Sequence, residues 1–227
     1  VYTSFKQLIT AMRSNMSGVF KLASDMTADE VGLTDNQTSY LSGEFTGTLI
    51  GADGSKAYAI YDLKKPLFDT LKNATVKDLD LKNTQVDSKE NAAAVAKTAN
   101  NATISNVAVE GKVSGRKSVA GLVVDATNTR IENSSFSGKL VANHADNNAN
   151  YAGGIVGKLT GGNAKVDKSK VDAVISTAAR NNNQTAGGIV GKLENGALVT
   201  RSVTTGKILN GQGYPRVGGI VGSTYPR

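Results

Sequence analysis

From residue 120 to residue 227 short apolar stretches alternate with polar ones, and none keeps a 3.6-residue period over ten or more positions. Runs such as Gly153-Gly154-Ile155-Val156-Gly157-Lys158-Leu159 are short, β-branched and bounded by Gly or Asn, which predicts strands joined by tight corners. These runs recur. Ala120-Gly121-Leu122-Val123, the run at Gly153, Gly187-Gly188-Ile189-Val190-Gly191-Lys192-Leu193 and Gly218-Gly219-Ile220-Val221-Gly222 place their second glycines 33, 34 and 31 residues apart. A second motif, with apolar or small residues at i, i+3 and i+5, follows as Ile131, Ser134, Phe136 and as Val166, Ser169, Val171. Upstream it occurs as Ile104, Val107, Val109 and as Val76, Leu79, Leu81, with anchors 28, 27 and 35 residues apart. In the last copy Leu198 and Val199 compete as the anchor. Val199 is preferred, because it brings Ser202 into line with Ser134 and Ser169.

A unit of about thirty residues made of short strands cannot bury its apolar side alone, so equivalent residues must stack on the units above and below. The predicted class is therefore all-β: a right-handed parallel β-helix, or solenoid, with a short N-terminal α-helical cap. The cap is read from residues 3–17, where Phe5, Leu8, Ile9 and Met12 fall at helical spacing behind Thr3 or Ser4 as the N-cap. Strand-like segments at 18–22 and 45–50 lead into the coils. A single domain is expected, with residues 1–64 as cap and entry strands and 65–227 as coils. The signature glycines are expected to allow positive φ or close backbone approach at corners.

Composition fits this reading: aromatic residues make up 5% of the 227, Trp is absent, Gly numbers 25 and Pro 3. No Cys is present, which excludes a disulfide framework, a thiolate metal site and a Cys nucleophile. No apolar run approaches the roughly 20 residues of a membrane span. Val1-Tyr2-Thr3 does not begin a signal peptide, and the ends read as cuts within a longer chain, so an export signal or wall anchor is expected outside it. The net charge of +7 is one-sided: from Tyr151 onward ten Lys or Arg face Asp167, Asp172 and Glu194, while the preceding residues balance. A solvated solenoid face, whose lysines also blunt exposed strand edges, is the simpler reading of this excess, and a basic surface that steers acidic partners the sharper one. Nucleic acid is not expected, since the basic stretch has few aromatics and no reader motif.

The chemistry-bearing candidates are few. The one histidine, His144, stands in the polar stretch 143–148, which excludes a two-histidine zinc helix; its place in a polar loop argues against its serving as the base of a serine triad, and an ordinary loop residue is the simpler reading. Gly157-Lys158 and Gly191-Lys192 lack the glycine spacing and the following Ser or Thr of a phosphate loop and read as corner geometry. Asp78 and Asp80 lie two apart on an apparently alternating segment, where paired outward carboxylates could serve acid-base chemistry or hold a cation. Lys77 and Lys82 beside them make charge balance the simpler reading. No catalytic, metal or cofactor-binding residue is assigned. The insertions 143–150, 177–185 and 210–216 each precede a glycine signature, so they should emerge at one corner as a shared rim. Arg180, Tyr214, Arg216 and His144 are its candidate partner-binding residues.

The repeated Gly-Φ-Val-Gly signature, with Φ as Ile or Leu, followed by the Ile-x-Asn-Ser element at Ile131, resembles the GLUG repeat. Together with the entry segments Phe45-Thr46-Gly47-Thr48-Leu49-Ile50-Gly51 and Ile60-Tyr61-Asp62-Leu63, the chain resembles the N-terminal region of streptococcal immunoglobulin A-cleaving zinc metalloproteases and their paralogues. The resemblance implies a non-catalytic portion of a secreted or cell-wall-attached protease, whose zinc site lies in a separate catalytic domain of the same chain. The H-E-x-x-H zinc motif of that family has no counterpart here. The expected role is to hold or position a host glycoprotein, such as immunoglobulin A, for that domain. A structural spacer and a polysaccharide-binding or polysaccharide-cleaving β-helix are the alternatives.

Overall fold

The computed structural model describes residues 1–143, 148–178, 183–211 and 216–225. They form a parallel β-solenoid of about six turns behind one short α-helix. The helix, Phe5–Ser14, starts where Ser4 Oγ accepts a hydrogen bond from the Gln7 amide. This satisfies one of the donors that a helix start leaves unpaired. Its apolar stripe of Phe5, Leu8, Ile9 and Met12 is fully buried and shares one core with Phe20, Phe45 and Phe68. Phe5 meets Tyr40 edge to face at 5.2 Å, and Arg13 donates to the Tyr40 carbonyl. Strand pairing already begins in this region: Val19–Lys21 pairs in parallel with Thr48–Ile50, which pairs in turn with Thr75–Ser88.

From Phe68 onward each coil contributes a rung to the same columns. One runs Phe68, Ala96, Val123, Val156, Val190, Val221, and another Val76, Ile104, Ile131, Val166, Val199. The signature isoleucines Ile155, Ile189 and Ile220 also stack, each amide donating to the next carbonyl at 2.9 Å. Up to Val190 and Ile189 these columns are continuous buried ladders of apolar side chains, with Val199, Val221 and Ile220 of the last coil more open, and such ladders make a stack of short strands hold together. All the strand pairings among the described residues are parallel except the small hairpin of Ala52–Asp53 with Lys56–Ala57.

At the Leu79 and Val107 position the later coils carry serine instead. Each of these serines is wired twice. Ser169 Oγ accepts from the Ser134 amide and donates to the Asp167 carbonyl, while Ser134 Oγ accepts from the Val107 amide and donates to the Glu132 carbonyl. Ser202 Oγ continues the pattern, accepting from the Ser169 amide, which places Val199 as the anchor of the last copy. The hydroxyls thereby satisfy buried backbone donors at a bend where the strand ladder is interrupted.

The corners divide the work between two residue types. Positive φ is carried by asparagines: Asn73, Asn101, Asn128 and Asn195 stack in one column with Gly161, and Asn106 and Asn133 in a second with Asp78, Lys168 and Arg201. Asn tolerates the left-handed region because its short amide side chain bonds locally. The second signature glycines serve close approach instead. A Cβ on Gly154 would lie 2.2 Å from the Gly188 carbonyl oxygen and 2.6 Å from a Val171 methyl.

Register also explains the unequal repeat spacing. Three residues separate Ser88 from Ala92 and three separate Gly115 from Val119, whereas the equivalent links Ala142 to Ala152, Thr177 to Ala186 and Asn210 to Val217 hold nine, eight and six. The interval from Ile131 to Val166 is eight residues longer than the one before it; six of those sit at this corner and two in the turn between Thr160 and Lys165. Every strand keeps its length, so the ladders tolerate the insertions.

Candidate functional site

The three long links leave the solenoid from the ends of paired strands, Ser135–Ala142, Lys170–Thr177 and Val203–Asn210. They return at Tyr151–Gly153, Thr185–Gly187 and Arg216–Gly218, which form one small sheet with Val119–Ala120. The insertions therefore rise from a single corner in a column, as the spacing predicted. Of the candidate contact residues, Arg216 lies there and is exposed; His144, Arg180 and Tyr214 fall outside the described residues. The base of the column is fixed by hydrogen bonds from coil to coil: the Ser118 amide donates to Asn91 Oδ1, and the Tyr151 amide donates to Ser118 Oγ at 2.9 Å. Below the later insertions the Thr185 amide donates to the Asn150 carbonyl and the Arg216 amide to the Gln184 carbonyl.

Beside this corner runs a face that sequence reading did not single out. Asp125, Lys158, Lys192 and Ser223 occupy one column, with Thr160, Glu194 and Tyr225 in a neighbouring one. Glu194 accepts from Lys192 at 2.9 Å and lies 3.4 Å from Lys158. The bond from Lys192 holds the Glu194 carboxyl below its ordinary range, and the bond to Glu194 pushes the Lys192 ammonium up. Burial raises Asp125, opposed by Lys158 and reinforced by Glu194. The Tyr151 ring lies 5.9 and 5.7 Å from the Lys158 and Lys192 ammoniums, and the Tyr225 ring 5.1 Å from Lys192. Cations within about 6 Å of a ring face are attracted by its quadrupole. The signal was present in the sequence, because both lysines follow the fifth position of the Gly-Gly-Ile-Val-Gly signature; reading these Gly-Lys pairs as corner geometry hid it, whereas the structure places them inside the strands Val156–Thr160 and Val190–Glu194.

Two shallow depressions of about 270 and 120 Å³ meet at Tyr151, one toward Asp125 and Asn150, the other toward Thr185, Lys192 and Arg216. Both lie below the roughly 300 Å³ at which enclosed small-molecule pockets begin. Their form suits contact with an extended surface. Asp78 and Asp80 are not part of this face. The alternation assumed for them breaks, because Asp78 has φ of 55° at a corner, where its Oδ1 accepts from Asn106 Nδ2 at 3.0 Å. Asp167 serves elsewhere as an anchor: Arg201 grips both its oxygens, Thr200 adds a third bond, and this holds its carboxyl well below the usual carboxylate range.

No three His, Cys, Asp or Glu side chains converge as a metal site among the described residues, and the sequence has one His and no Cys, a donor set that does not fit a zinc centre. No helix among them is long and apolar enough to cross a membrane. The described residues define a β-solenoid in which three long links leave and re-enter at one corner.

Comparison with known proteins places this solenoid. The family profile described as M26 IgA1-specific metallo-endopeptidase N-terminal region matches residues 1–111. Zinc metalloprotease ZmpC of Streptococcus pneumoniae serotype 4 is 73% identical over 225 residues, 99% of this chain and 12% of that protein. An immunoglobulin A1 protease of Streptococcus sanguinis is 44% identical over all 227 residues, again 12% of its own length. A solved structure of an IgA1 protease superposes with a TM-score of 0.92 at 38% identity, covering 97% of this chain and 17% of that one. The chain belongs to the M26 IgA1-specific metallo-endopeptidase family and corresponds to its N-terminal region. It spans about one eighth of the length of the curated relatives it matches.

Proposed function

We propose that this solenoid is a non-catalytic module of a secreted or wall-attached zinc metalloprotease, and that it holds a host glycoprotein, immunoglobulin A being the leading candidate, for a catalytic domain elsewhere in the same chain. The observation that carries the reading is the column of three insertions at one corner, beside a face of Lys158, Lys192 and Tyr151. Solenoids commonly place partner-binding insertions on one side, where added length leaves the ladders intact. Tyr and Arg are side chains over-represented at the energetic centres of protein interfaces. The names of the relatives supply the substrate class and the zinc, which this module's own side chains would not bind. On the same reading residues 1–64 act as the N-terminal cap and the coils are GLUG-type repeats.

The test uses the full-length protease with links 143–151 and 178–185 each cut to the three-residue length found at 116–118. The expected result is a raised KM for immunoglobulin A with kcat unchanged, the pattern of lost uniform binding. Unchanged KM in both variants would defeat the reading. Parallel pairing of every coil from Phe68 to Tyr225 also favours a stiff spacer, which predicts instead that an unrelated solenoid of equal length restores full activity.

A further inference from the structure

The smaller depression has a feature that the general docking role does not use. Thr185 is 4% exposed, lines the depression, and its Oγ1 is buried with no hydrogen-bond partner. An unsatisfied buried hydroxyl is uncommon and costs free energy unless a ligand or water completes it. Around it stand the Lys192 ammonium, the exposed Arg216 and the rings of Tyr151 and Tyr225, the latter 63% exposed. Lys192 gives one bond to Glu194 and keeps further N–H donors. Of the side chains that line the depression, Lys192 and Arg216 are cationic and none is acidic, with Glu194 bonded to Lys192 beside it. Arg216 is paired with Thr185 in the strand ladder, so its side chain starts one rung from Thr185, and both line the depression.

We propose that this depression binds the carboxylate of an acidic sugar. Two cations and a hydroxyl donor converge on a space of about 120 Å³, too small for a whole ligand but open to solvent on one side, so that only the charged end of a ligand is seated. A guanidinium engages a carboxylate through two parallel bonds, which fixes its orientation. The two tyrosine rings then offer flat apolar walls to the ring of the sugar, as they could not for a flexible acidic side chain that has no ring to stack. This deepens the docking role proposed above and rests on it, with the acidic sugar as the element of the glycoprotein that the module grips.

The full-length protease is titrated with sialyllactose, lactose and a glutamate-containing tripeptide, followed by saturation-transfer NMR. Saturable binding of sialyllactose with no binding of lactose is expected. Arg216→Gln should weaken it by about tenfold, the usual loss for a charge-assisted pair. Thr185→Val keeps the shape, removes the hydroxyl and should weaken it too, while circular dichroism confirms that both variants fold. Absence of sialyllactose binding overturns the proposal, as does lactose binding equally well. Equal binding of the tripeptide overturns the sugar assignment. If the shortened-link variants raise KM for the glycoprotein but excess sialyllactose does not, the docking role stands and the acidic-sugar site fails. If shortening leaves KM unchanged, the docking role itself fails.

Discussion

Replacing Ser169 by alanine isolates the hydroxyl ladder. Ser169 is 2% exposed, and its Oγ lies 3.3 Å from the Ser134 amide nitrogen and 3.0 Å from the Asp167 carbonyl oxygen. Alanine fits the space but leaves the Ser134 N–H buried without its acceptor, and an orphaned buried donor costs about 1–3 kcal/mol. Neighbouring coils offer no replacement, because Ser134 Oγ and Ser202 Oγ already serve the amides of Val107 and Ser169. In a chain of this size each kcal/mol shifts Tm by roughly 2–4 °C, so a loss of about 2 kcal/mol lowers Tm by about 4–8 °C. Thermal melts followed by far-ultraviolet circular dichroism measure it, with Ser137→Ala, an exposed serine in a neighbouring coil, as the control expected to change little. Ser169→Thr, which keeps a hydroxyl, should fall between the two. If Ser169→Ala melts with the control, the hydroxyl ladder is not what satisfies these amides and the reasoning fails.

Glycine position supplies a second comparison. Gly154→Ala must push apart two backbones, as must its equivalent Gly188→Ala, whereas Gly32→Ala, outside the signature, meets nothing within 4 Å, so denaturant unfolding should show a large loss for the signature variants and a near-neutral result for Gly32→Ala. Replacing residues 143–151 with the three residues Arg116-Lys117-Ser118 should leave the strand signal and the unfolding midpoint close to wild type, since two upstream coils already close with links of that length. Asp167 has a folded-state pKa below its ordinary 3.8, so its stabilisation is fully present above that value and is lost as pH falls through the folded value. Unfolding of wild type and Asp167→Asn should accordingly differ at neutral pH and converge in strong acid; a gap that does not narrow on acidification would contradict the assignment.

Much of the architecture was legible because the repeat is written in side-chain chemistry. Ile155, Ile189 and Ile220, and the serines at 134, 169 and 202, recur at intervals that only stacking of equivalent rungs explains, and the helical stripe of Phe5, Leu8, Ile9 and Met12 announced the cap. The corner column of insertions was also readable, since each one interrupts the chain just before a glycine signature. Less was visible at the corners themselves. Of the two roles expected of the signature glycines, positive φ or close approach, the second glycines serve close approach, while Asn73, Asn101 and Asn128 carry positive φ because their amides bond locally.

What sequence alone determined is the periodic part of the protein, because aliphatic ladders depend on residue type at a fixed spacing and on nothing outside it. What only the tertiary structure decided is the face beside the rim. Tyr151, Thr185, Lys192, Arg216 and Tyr225 come from three successive coils and lie up to 74 residues apart along the chain. Stacking converts that separation into adjacent rungs about 4.8 Å apart. Charges and rings meet there through register, which no linear spacing of the individual residues displays.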